Sequence, residues 1–151
     1  VSIGDFISLF ISFDTTDITK SFVIVNGVKT QVSSTFATNE DILFSSMNRW
    51  AVSGYPSDDN IATIANKSEG SLSNTYFTNQ YIDFSQESNR NLFVSQLGFP
   101  RQLDTLIADG TIPTPLVYMK FDDQSNLGKN NGTGGDFTVN GTVIAGADFT
   151  L

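Results

Sequence analysis

Apolar and polar positions alternate over residues 1–13, VSIGDFISLFISF. Val1, Ile3, Ile7, Leu9, Ile11 and Phe13 fall on one face; Ser2, Ser8 and Ser12 fall on the other with Phe6 and Phe10. A period of two predicts a long strand, its Ile/Leu face buried and its serine face partly covered. DTTDITK then makes a polar turn, and SFVIVNGVKTQV follows with Asn26-Gly27 between two apolar runs. Asn-Gly accepts the positive φ of both central positions of a type I′ turn, so a tight hairpin is expected there. Residues 42–55 suggest two more short strands, the second carrying Trp50 and Val52. Strand material recurs over Leu72 to Phe77, Tyr81 to Phe84 and Leu116 to Phe121, and a second Asn-Gly hairpin is expected at Asn140-Gly141.

One stretch breaks this rhythm. YIDFSQESNRNLFVSQLGFP, residues 81–100, predicts one short helix near residues 86–97. Ser85 suits the N-cap, where a hydroxyl can accept from a free first-turn N–H, and Glu87 suits the dipole of the first turn. Leu92, Phe93 and Leu97 form a narrow apolar stripe, and Gly98 with Pro100 ends the helix. So narrow a stripe cannot make a layer; it predicts a clasp over the end of a sheet. Many strands, two hairpins and one clasp predict an all-β chain, an antiparallel β-sandwich of jelly-roll type.

The chain has 151 residues, which suits one domain able to bury roughly 70% of its unfolded surface. Sixteen acidic against 8 basic residues give a net charge of -8, and the cations are scattered singly. Nucleic acid is therefore not an expected partner, because phosphate binding needs clustered Lys and Arg. No apolar run is long enough for a membrane span, so no membrane insertion is expected. With 0 Cys and 0 His, thiol chemistry, a Ser–His–Asp relay and a histidine-bound zinc are all excluded.

Three segments together resemble the laminin-G-like branch of the concanavalin A-like lectin/glucanase superfamily. They are FISLFISFDTTDITKSFVIVNGV, SLSNTYFTNQYIDFSQESNRNLFVSQLGFPRQL and PTPLVYMKFDDQSNLGKNNGTGGDFTVNGTV. The third looks like the terminal segment of such domains in bacteriophage structural proteins. The resemblance implies a concanavalin A-like jelly roll over residues 1–151, a single domain in which the helix is a clasp between late strands. In the family the strand similar to FISLFISFDTT lies mid-domain, after several others, so this resemblance corresponds to the second half of the domain. It leaves strand edges to be completed by other contacts.

Candidate chemistry is sparse. Glycoside hydrolysis needs two carboxyls about 5–9 Å apart. The only glutamates, Glu40, Glu69 and Glu87, are far apart in sequence, and no enzyme activity is expected. Hard cations need only oxygen ligands, so Asp58, Asp59 and Asn60 form one candidate calcium cluster, and Asp122, Asp123 and Asn126 a better one after a strand end. Both also fit plain solvated turns. Tyr55, Tyr76 and Tyr81, with Asn79, are the candidate carbohydrate-binding residues that the lectin resemblance implies; rings covering a sheet face are the competing reading.

The expected role is thus a non-enzymatic structural or binding module. The resemblance implies a phage virion component (tail fibre, tail-associated or capsid-decorating) in contact with other virion proteins or copies of itself, and with a host-surface glycan. The alternative is an extracellular carbohydrate-binding module, with or without calcium. Either implies a virion or extracellular location.

Overall fold

The computed structural model describes residues 7–32 and 72–139, together with the backbone of two short strands, Tyr55–Pro56 and Ile64–Ala65. Strands and turns dominate, and all of the described strands pair antiparallel. In chain order they are β1 (Leu9–Ser12), β2 (Phe22–Val25), β3 (Val28–Gln31), β4 (Tyr55–Pro56), β5 (Ile64–Ala65), β6 (Thr75–Phe77) and β7 (Val117–Met119). Helices are brief: a 3-10 turn over Ile18–Lys20, α1 (Glu87–Arg90) and α2 (Asp104–Ala108). The chain divides into two compact units, one from Val1–Ile42 with Thr78–Pro115, the other from Leu43–Phe77 with Leu116–Leu151. The expected strand at Trp50 and the hairpin at Asn140-Gly141 lie outside the described residues.

The first unit is built on the sheet β1-β2-β3. The expected hairpin is present: Val25 pairs with Val28 across Asn26 (φ 49°) and Gly27 (φ 83°), the two positive φ values a type I′ turn requires. Asn26 also ties the turn to the first strand. Its N–H donates to the Ser8 carbonyl at 3.0 Å, and its Oδ1 accepts from the Ser8 N–H at 2.8 Å.

The faces of β1 are the reverse of those expected. Phe10 (8% exposed) and Ser12 (2%) are buried, whereas Ile7, Leu9 and Ile11 are more than half exposed. Serine is tolerated inside because its hydroxyl is fully used: it donates to the Ile82 carbonyl at 2.8 Å and accepts from the Phe84 N–H at 3.2 Å. Phe10 supplies the apolar mass on that face. Its ring lies 4.9 Å from Phe84 and 6.3 Å from Phe93, which meet edge-on at 5.3 Å. Phe22 and Ile24 extend this inner face from β2, and the Lys29 ammonium sits 4.2 Å from the Phe22 ring centre.

Residues 81–112 close the inner face, and here the expected helix shrinks. Tyr81 to Phe84 form no strand, and α1 is one turn rather than twelve residues. Ser85 does not cap it; the Asp83 carboxylate takes the Ser85 N–H (3.0 Å) and hydroxyl, and Gln86 stands at the N-cap without a side-chain bond. Arg90 is anchored beneath, with one guanidinium nitrogen 2.6 Å from the Phe84 carbonyl and 3.0 Å from that of Ser85. Phe93 is buried as expected, but Leu97 is 79% exposed at the bend where Gly98 turns with φ 82°. The clasp therefore lies over a sheet face through Phe84 and Phe93, not over a sheet end. Beyond it lies α2, flanked by the buried Leu103 and Ile112.

In the second unit β6 pairs with β7, placing Tyr76 opposite Tyr118. Tyr118 and Met119 are buried, and the strand ends by Phe121 at φ 57°. The glycine-rich loop over residues 128–135 is fastened along β7. Buried Asn130 does most of this: its Oδ1 accepts from the Tyr118 N–H at 2.8 Å, and its Nδ2 donates to the Leu116 carbonyl at 2.9 Å. The N–H groups of Asn131 and Gly134 donate to the carbonyls of Tyr118 (2.7 Å) and Leu116 (2.9 Å). A Cβ on Gly134 would sit 2.9 Å from that Leu116 oxygen, so glycine is what allows this approach. The loop thereby satisfies an edge that would otherwise be open.

Candidate functional site

The expected calcium ligands stand on an exposed turn after β7. Asp122, Asp123 and Asn126 are all exposed. The Asp123 Oδ1 accepts from the Ser125 hydroxyl (2.6 Å) and N–H (2.9 Å), and the Asn126 N–H donates to the Asp123 carbonyl at 3.1 Å. The Ser125 hydroxyl bond, above all, holds the Asp123 carboxyl below its usual range. One of its two oxygens, Oδ1, is thus engaged by the local turn. Among the described residues no three Asp, Glu, His or Cys side chains gather in one place that would suit a metal ion. Asp58, Asp59 and Asn60 lie outside the described residues.

The expected carbohydrate residues are distributed between the two units. Tyr76 stands in β6 of the second unit, half-buried, while Asn79 and Tyr81 belong to the first and are exposed. The side chain of Tyr55 lies outside the described residues; its backbone pairs with Ala65. Tyr81 is tied to the acidic turn, its hydroxyl donating to the Lys20 carbonyl at 3.2 Å. Partial burial, reinforced by Asp83, Asp14 and Asp17, pushes its phenol above the ordinary value.

That acidic turn, DTTDITK, engages its carboxylates with its own side chains. Asp14 Oδ1 accepts from the Thr16 hydroxyl and N–H at 2.6 and 2.8 Å, and Asp17 Oδ1 accepts from the Thr19 hydroxyl at 2.6 Å. Lys20 lies 3.2 Å from Asp17 and 3.8 Å from Asp14. The threonine hydroxyl bonds are the main reason both carboxyls fall below their usual range.

An open groove of about 940 Å³ runs between the Asn26-Gly27 turn and the α1–Gly98 bend, with Glu87, Arg90, Asn91, Gln96 and Leu97 among its walls. Sequence reasoning missed it, since its two sides lie about seventy residues apart and share no motif. Among the described residues that line it, Glu87 is the one carboxylate.

The most distinctive surface is the outer face of the first sheet. Leu9 stands beside Val25 and Ile11 beside Val23; Val25 in turn stands beside Val28. Ile7 (56% exposed), Leu9 (59%), Ile11 (56%), Val25 (43%) and Val28 (70%) all present apolar surface. Thr30, opposite Val23, completes this face, and none of these side chains is charged. The sequence contained the signal, a strand apolar on both faces, but not which face would be covered.

No family model matches the chain, and neither the curated proteins nor the solved structures offer a counterpart. Among the described residues no helix is long and apolar enough to cross a membrane.

Proposed function

We propose that the chain is a non-enzymatic β-sandwich module of concanavalin A-like, laminin-G-like type that works through protein–protein contacts, as a structural component of a phage virion. The sandwich and the virion setting rest on the three sequence segments that resemble that family. The contact role rests on one observation, the uncharged apolar outer face of the β1-β2-β3 sheet. A sheet with one face packed by Phe84 and Phe93 and the other bearing Ile, Leu and Val is a layer awaiting a cover. Burial of that face against a neighbour is the mechanism: each buried aliphatic side chain contributes about 1.5–3 kcal/mol before the costs of association.

Sedimentation velocity combined with limited proteolysis of the full chain tests this reading. Assembly into a larger species, with protection from protease gained on assembly, is expected. A monomer that is already protease-resistant at every concentration would contradict it.

A further inference from the structure

We infer that β1 is a self-association edge, pairing antiparallel with β1 of a second copy of this chain; this rests on the contact role proposed above and names its partner. The direction of the backbone groups is fixed by register. The Asn26 N–H donates to the Ser8 carbonyl, so in the pairing of β1 with β2 the hydrogen-bonded positions are Ser8, Phe10 and Ser12. The N–H and C=O groups of Leu9 and Ile11 therefore point away from β2, to the side where the sheet order ends. Among the described residues, no backbone partner meets them there.

The chain treats its strand edges unequally. The edge of β7 is satisfied by Asn130, Asn131 and Gly134. The outward positions of β3 are Lys29 and Gln31, the first a charge of the kind that discourages strand addition. β1 carries no charge, no proline and no bulge: its sequence is LFIS. A chain of net charge -8 repels its own copies wherever carboxylates face each other. β1 itself is uncharged, and the open Leu9 and Ile11 groups of one copy are the hydrogen-bonding complement of those of another. Antiparallel pairing about a two-fold axis at Phe10 sets Leu9 against Ile11 of the second copy, twice. This pairing satisfies all four outward N–H groups and carbonyls and makes the aliphatic outer faces continuous.

The test is amide hydrogen exchange of the full chain, resolved by residue, from low-micromolar to high-micromolar concentration. The Leu9 and Ile11 amides should slow on the order of tenfold or more as concentration rises, while Phe10 and Ser12, bonded within the sheet, stay protected throughout. Leu9→Lys, at an exposed position, should remain folded and lose this concentration dependence; Thr30→Lys, across the sheet, should retain it. Assembly without slowing of Leu9 and Ile11 would overturn β1 pairing while leaving the contact role standing. Slow exchange at every concentration would show the chain covering its own edge, and fast exchange at every concentration a monomer; either result overturns the inference.

Discussion

Ser12 and Phe84, 72 residues apart, are joined by a buried hydrogen bond, the Phe84 N–H donating to Ser12 Oγ at 3.2 Å. The same hydroxyl donates onward to the Ile82 carbonyl at 2.8 Å, so one small side chain holds the clasp segment to β1. Ser12→Ala removes both bonds, leaving the Phe84 N–H and the Ile82 carbonyl only each other at 3.0 Å, and should lower unfolding free energy by about 1–3 kcal/mol, as measured by urea denaturation. A loss near zero would mean that the clasp does not dock on this serine.

The aromatic trio gives a second contrast. Phe93 is buried against Phe10 and Phe84, whereas Leu97, four residues on, is 79% exposed. Phe93→Ala should cost about 3–5 kcal/mol. Leu97→Ala should stay within about 0.5 kcal/mol, as surface changes do. Equal costs would restore the helical stripe expected from the sequence.

In the second unit, Asn130→Ala should speed exchange of the Tyr118 amide and destabilise by about 1–3 kcal/mol, since its side chain is the partner of both Tyr118 N–H and Leu116 C=O. Asn130→Asp keeps the acceptor but loses the donor and faces a carboxylate oxygen toward the Leu116 carbonyl. It should rescue the Tyr118 amide without restoring stability.

Several carboxyls are held below their ordinary value of 3.8 by neighbouring hydroxyls: Asp83 by Ser85, Asp14 by Thr16, Asp17 by Thr19 and Asp123 by Ser125. A depressed folded pKa contributes stability that is present above the unfolded value and is lost as pH falls through the folded one. Thermal stability should therefore decline as pH is lowered from about 4 toward 2, with no change between 5 and 7 from these groups. Asp83→Asn should lower stability at pH 7 and flatten the acid limb. An acid limb identical to that of the parent chain would remove Asp83 from this role.

The sequence was most legible where chemistry is local. Asn26-Gly27 dictates its turn through backbone preference alone, and the hairpin register follows. Gly98 likewise marks the end of the clasp. Legibility failed where distant partners decide. Alternation located β1 but put the wrong face inside, because Ser12 becomes a core residue only through Ile82 and Phe84. The helix expected over residues 86–97 starts near its place but ends at Arg90, because the chain then turns back on itself and Val94 pairs with Pro100. NNGTGG carries no local sign of its role, because the carbonyls and N–H it serves belong to residues 116–118. Of the candidate site residues, Asp123 has Oδ1 engaged by Ser125, and Tyr76 and Tyr81 fall in different units; spacing along a chain carries neither fact. The contact face was visible only as surplus hydrophobicity.

The inverted strand can be tested most directly by thiol labelling, which the absence of native cysteine makes clean. Single Ile11→Cys and Phe10→Cys variants would be reacted with a small maleimide in dilute solution. Labelling of Ile11→Cys near the rate of an unfolded control, with strong protection of Phe10→Cys, is the predicted result. Protection of Ile11→Cys with ready labelling of Phe10→Cys would contradict it and return the aliphatic face to the interior.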